Sequence, residues 1–143
     1  MSKLPTDLKI LKCIYKMYKD EFNNYTKEHP TRDSKIYVPI DIRNIADKLK
    51  TDSDILFGRL YYHLDNKYRY EQSDGSKVHL FAFKVGNDMH CIHYPYLAAI
   101  VSEKNTDWKR SIWSLTISLI SIGIALAALI YNIYGATGAP TVP

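Results

Sequence analysis

Charge is missing from the last part of this chain: Arg110 carries the final ionic side chain, and every residue from Ser111 to Pro143 is neutral. Cysteine is scarce too. Cys13 and Cys91 alone exclude a disulfide-stapled scaffold and suit a reducing compartment. There is no Gly-rich phosphate loop, no Gly-x-Ser-x-Gly elbow and no carboxylate pair in an apolar setting. The sequence therefore predicts a protein that is not an enzyme, with no cofactor and no small-molecule substrate. His79, His90, Cys91 and His93, with His63 further off, are the candidates for a metal. They lack any diagnostic C-x-x-C or His-x-x-x-His spacing, so none is expected. Met1 to Lys19 alternates lysine with apolar residues and does not read as a signal peptide.

What the uncharged stretch does contain is a hydrophobic run. Ser111 to Asn132 is 22 residues, and as a helix it would be roughly 33 Å long, enough to cross the hydrocarbon core of a bilayer. Within it Ser111, Ser114, Ser118, Ser121, Ala125, Ala128 and Asn132 follow one another at spacings of 3, 4, 3, 4, 3 and 4. Such a seam of small and polar residues allows close backbone approach and interhelical hydrogen bonds, and its period favours a left-handed crossing. A homo-oligomer assembled through this face is expected. Thr116, Gly123 and Ala127 are small residues lying off the seam, and hydroxyls in membrane helices also bond back to their own backbone.

Lys104, Lys109 and Arg110 precede the span and no Lys or Arg follows it. The positive-inside bias places the N-terminal portion in the cytoplasm, in a single-pass protein of the cell's inner membrane. Trp108 and Trp113 on one side, with Tyr131 and Tyr134 on the other, fit the two interfacial belts. The expected organisation is a cytoplasmic domain over 1–103, a basic juxtamembrane linker over 104–110, a transmembrane helix over 111–134 and a short disordered external tail over 135–143.

The cytoplasmic part reads as an alternation of helices and strands. Leu8, Leu11, Ile14, Tyr18, Phe22 and Tyr25 mark one face of a helix capped by Thr6, and Lys9, Lys12, Lys16 and Lys19 mark its opposite face. Ile36 to Pro39 is a short strand. Asp41 caps a second helix with Ile42, Ile45, Ala46 and Leu49 inward, and the turn Thr51-Asp-Ser53 opens a third carrying Leu56, Leu60 and Leu64. Tyr68 to Gln72 and Lys77 to Val85 flank the hairpin signal Ser73-Asp-Gly-Ser76. Gly86-Asn87 makes a second turn before Met89 to His93, and Pro95 opens a short helix through Leu97, Ile100 and Val101.

Ile45-Ala46-x-x-Leu49 followed by Leu56-x-x-x-Leu60-x-x-x-Leu64 and a hairpin resembles the winged helix-turn-helix superfamily, over about Leu4 to Val85. The fold class expected is thus α+β: a winged helix-turn-helix domain with an extra strand and helix, then one C-terminal transmembrane helix. The resemblance implies a third helix that enters the DNA major groove and a wing that touches the backbone. It nominates Asp54, Phe57, Gly58, Arg59, Tyr61, Tyr62 and His63 on the helix and Lys77 in the wing. The charge does not support this role well. Residues 51–110 hold eight Lys/Arg against eight Asp/Glu, and residues 1–50 hold eleven against seven, so the excess of +4 lies in the first part. A phosphate surface needs a basic footprint, whereas exposed tyrosine beside one arginine suits a protein interface. Two readings remain: a membrane-anchored regulator that binds DNA as an oligomer, or a protein-interaction module coupled to an oligomerising or pore-forming membrane effector of the toxin or defence type. Membrane lipid is a partner in both.

Overall fold

The computed structural model of the chain describes residues 4–28 and 30–136, with side chains through Tyr134. Two compact units meet in the chain at Lys104 and Asn105. The first is a mixed α+β fold. Helix α1 (Asp7–Met17) starts where the Thr6 hydroxyl accepts the Lys9 N–H at 3.3 Å, and it buries Ile10, Leu11 and Ile14. The single helix expected to reach Tyr25 is interrupted at Tyr18 and resumes as α2 (Lys19–Asn23). No glycine or proline causes the break. Tyr18 is buried, and its hydroxyl accepts the Asp41 N–H at 2.7 Å, tying the junction to the start of the next helix.

Strand β1 (Tyr37–Pro39) leads into α3 (Ile42–Leu49), which Asp41 caps by accepting the Asn44 N–H, and which buries Ile45, Ala46 and Leu49. Asp52 caps α4 (Ser53–Gly58), accepting the N–H groups of Asp54 and Ile55 at 2.8 and 3.2 Å. The helix continues through a π-helical turn (Arg59–Leu64) and closes as α5 (Asp65–Tyr68). Leu56, Leu60 and Leu64 form the buried stripe that the sequence predicts.

The run Lys77 to Val85 is divided between two sheets. β2 (Tyr70–Glu71) and β3 (Lys77–Val78) pair only with each other, whereas β4 (Phe81–Val85), β5 (Asp88–His93) and β1 form an antiparallel sheet in the order β1-β5-β4. The break at His79 and Leu80 has a definite cause. Asp65 is only 5% exposed, and its carboxylate accepts the Phe81 N–H at 3.0 Å and lies 2.8 Å from His79 Nδ1. A buried carboxylate is stable only when its oxygens are occupied, so this contact fixes where one hairpin ends and the other begins. Val38, Ile92 and Phe81 lie side by side across the sheet and carry its face of the core.

Helix α6 (Tyr94–Ala136) begins directly after β5. Its first turns complete the core of this unit: Tyr94, Leu97, Ile100 and Val101 are buried. Tyr94 stacks on Tyr15 and Phe22, and its hydroxyl donates to the Tyr15 carbonyl at 2.7 Å. A second tyrosine, Tyr96, donates to the Tyr68 carbonyl at 2.7 Å. Arg32, at 5% exposure, gathers the polar loop before β1 by donating to the carbonyls of Glu21, Ser34 and Lys35.

The second unit is the remainder of α6. Residues 104–110, expected to be a linker, are helical, since no glycine or proline occurs between Pro95 and Gly123. Beyond Asn105 every described side chain is exposed. The apolar segment is long enough to cross a membrane, and none of it is buried against the rest of the chain. A soluble core helix would hide these residues; lipid is the solvent that suits them. Of the disordered tail expected over 135–143, residues 135 and 136 instead continue α6, and 137–143 lie outside the described residues.

Candidate interaction site

The third helix of the sequence reading, Ser53 to Tyr68 (α4, the π-helical turn and α5), carries Arg59, Tyr61, Tyr62 and His63, and a residue outside it engages two of them. Asp7, in the first turn of α1, receives a hydrogen bond from the Arg59 guanidinium, and its other oxygen lies 3.2 Å from Lys67 Nζ and 3.3 Å from His63 Nε2. Arg59, His63 and Lys67 succeed one another at intervals of four, so one side of the helix converges on a single carboxylate. Burial would raise the Asp7 pKa, but the bonds from Arg59, Lys67 and His63 outweigh it and hold the carboxyl below its ordinary range. The Arg59 Nε is buried without a partner among the described residues, so this arginine is committed inward rather than extended toward a ligand.

Away from Asp7, aromatic and aliphatic side chains are exposed on this helix and on the neighbouring strands β4 and β5. Tyr62 is 77% exposed, and Ile55, Phe83 and Met89 are also exposed. Phe57 and Tyr61 are half-buried, with ring centroids 4.7 Å apart. Tyr61 shares a 3.0 Å hydrogen bond with His90 Nδ1, and burial pushes its hydroxyl far above the ordinary phenol pKa. The ring of His90 lies edge-on to Phe57 and Phe83. His90 itself adopts φ +55 within β5, a left-handed conformation that β-strands rarely contain. Of the other nominated positions, Asp54 is exposed beside the cap, and the ideal Cβ position at Gly58 is 3.8 Å from Tyr62. Lys77 is exposed on β3, in the small hairpin apart from the three-stranded sheet.

Lysines of α1 form a second feature. Lys9, Lys12 and Lys16 line a groove of about 400 Å³ together with Lys48 of α3, and Leu8, Cys13 and Leu49 line it too. No carboxylate lines it, and among the described residues none of the four lysines pairs with one. Lys19, past the break at Tyr18, is exposed elsewhere and does not contribute. Burial raises the Cys13 thiol pKa, although Lys48, Lys9 and Lys16 pull it down. Sequence spacing reveals the α1 stripe but not Lys48 or Asp7, because both join their sites across the packing of separate helices.

In the second unit the seam residues Ser111, Ser114, Ser118, Ser121, Ala125, Ala128 and Asn132 are exposed. Ser118 and Ser121 donate to the carbonyls of Ser114 and Ile117 at 2.9 and 3.0 Å, as Thr116 does to Ile112 off the seam. Those hydroxyl protons are used within the helix, which leaves oxygen lone pairs and close backbone approach for a neighbour.

The histidines and cysteines do not converge. His79 is held by Asp65, His90 by Tyr61, and His93 accepts the Tyr96 N–H at 3.2 Å while burial lowers its pKa. Cys91 is fully buried, and burial first, then the Asp88 charge, pushes its thiol up to about 11. Among the described residues no group of three His, Cys, Asp or Glu side chains could hold a metal ion. Comparison of the chain with protein-family models, with curated proteins and with solved structures finds no match.

Proposed function

We propose that this protein is a membrane-anchored, non-enzymatic binding module that takes a protein partner on the third helix and gathers into oligomers through the seam of α6. The pairing of Arg59, His63 and Lys67 with Asp7 carries this reading. It engages Arg59 and partly offsets the charge that a DNA-reading helix would present to phosphates, while Tyr62, Ile55, Phe83 and Met89 face solvent. Exposed aromatic and aliphatic residues with few free charges are the composition of an interface core. The basic flank Lys104, Lys109 and Arg110 supports a cytoplasmic first unit and an inner-membrane anchor.

The DNA-binding reading retains one support, the order helix, strand, helix, turn, helix, hairpin that resembles a winged helix-turn-helix. The two are separated by titrating the full chain, held in neutral lipid nanodiscs, with mixed-sequence duplex DNA over a range of salt. A DNA reader loses affinity steeply as salt rises, roughly one power of salt concentration per phosphate neutralised. We expect no such binding; a steep salt slope that Arg59→Gln flattens would establish the DNA reading instead. For assembly, Ser118→Leu with Ser121→Leu should abolish cross-linking between copies in a bilayer, and unchanged cross-linking would remove the seam from the reading.

A further inference from the structure

We propose that the groove between α1 and α3 seats the headgroups of anionic phospholipids, docking the folded unit on the membrane to which α6 anchors it. The inference rests on the anchored, cytoplasmic reading above. Its own basis is a contrast within one molecule. The cations of the third helix are gathered by Asp7, whereas Lys9, Lys12, Lys16 and Lys48 share one groove with no carboxylate among them. Four ammonium groups brought together repel one another, and an anion between them relieves that repulsion. The apolar part of the lining distinguishes the anion. Leu8, Leu49 and the Cys13 thiol offer apolar surface in the same groove as the lysines, which a bare inorganic ion cannot use and the glycerol and upper acyl portion of a phospholipid can. The anchor makes such lipids abundant: a unit joined in sequence to a membrane helix samples the leaflet at high effective concentration. On the cytoplasmic side that leaflet is negatively charged, and each lysine near it strengthens attachment by about fivefold.

Cys13 reports on the groove directly, since it is partly exposed within it while Cys91 is fully buried. The full chain is placed in nanodiscs of phosphatidylcholine alone, or with roughly 30% phosphatidylglycerol, and alkylation of Cys13 by N-ethylmaleimide is followed by peptide mass. The expected result is alkylation about tenfold slower in the anionic discs. That protection should vanish in the variant combining Lys9→Gln, Lys12→Gln, Lys16→Gln and Lys48→Gln, which remains tethered in the same discs and so experiences the same surface potential. Cys91 staying unreactive verifies that the variant is folded. If it is not, Lys12→Gln and Lys48→Gln singly should each weaken protection by about fivefold. Equal rates in the two discs, in a chain that has incorporated, overturn the groove and leave the anchor standing; failure to incorporate overturns both. Protection by glycerol phosphate added to neutral discs would identify a soluble phosphate ester instead. Protection by polyglutamate there, with none from phosphatidylglycerol, would identify an acidic protein. Either result overturns the lipid assignment.

Discussion

Replacing Asp7 by asparagine should both weaken the fold and change the charge that the third helix presents. Asp7 and Arg59 have side chains 24% and 31% exposed, so their hydrogen bond is partly shielded from water. A charge-assisted bond in such a setting contributes about 1.5 kcal/mol. Lys67 and His63, 47% and 54% exposed, are screened by solvent and together add about 0.5 kcal/mol. The favourable position of a carboxylate in the first turn of α1 adds roughly a few tenths more. Asp7→Asn is therefore expected to lower stability by about 2 kcal/mol at neutral pH. The folded pKa of Asp7 lies below its ordinary value, so its contribution is fully present above pH of about 4 and is lost as pH falls through the lower folded value. Wild type and variant should converge in strong acid. The measurement is labelling of Cys91, buried and with a raised thiol pKa, across a urea series: it reacts only when the first unit opens. A second consequence is separable from stability. Freed from Asp7, Arg59 and Lys67 become available to phosphates, and the variant should gain salt-dependent affinity for duplex DNA that the wild type lacks. A change in stability below about 0.5 kcal/mol, with no difference in acid response, would refute the account of Asp7 as the residue that organises this face.

Two other perturbations follow from the fold. Asp65→Leu leaves the Phe81 N–H buried without its acceptor and removes the partner of His79, so a loss of about 3 kcal/mol is expected. Asp65→Asn, which keeps an acceptor oxygen for Phe81, should cost less than half as much, and equal losses in thermal unfolding would rule out the hydrogen-bond explanation. Gly86 turns at φ +60, and a Cβ there would fall 2.2 Å from an Asp33 carboxylate oxygen. Gly86→Ala should therefore destabilise by about 2 kcal/mol, against about 1 kcal/mol for Gly75→Ala, whose φ is also positive but which has open space around it. Combining Gly86→Ala with Asp33→Ala should recover part of the difference; no recovery would mean that backbone strain alone is responsible.

Local signals in the chain carry most of the secondary structure. Thr6 and Asp41 announce the starts of their helices, the interval of four between Leu56, Leu60 and Leu64 marks a buried stripe, and Gly86-Asn87 marks a turn. These features depend on residues a few positions apart. The interruptions do not. α1 breaks at Tyr18, where the hydroxyl binds the backbone of Asp41, and the run after Lys77 divides where Asp65 reaches Phe81. The candidate site is less legible for the same reason: Asp7 and Arg59 are 52 residues apart, and no periodicity connects them. Arg59 in sequence looks like a free cation on a reading helix. Only its packed neighbour changes what it can do.

The direct passage from β5 into α6 has a mechanical consequence. No residue intervenes between His93 and Tyr94, and Tyr94, Leu97, Ile100 and Val101 are buried, so tension on α6 must first strip that packing and then enters the sheet without slack to absorb it. The strand that receives it is the middle one, hydrogen-bonded to β1 along one edge and β4 along the other. Pulling it out requires both ladders to yield, which resists force far better than peeling an outer strand. Tension along α6 would thus meet the buried first turns of the helix, and then a strand held on both edges, before the folded unit could unravel.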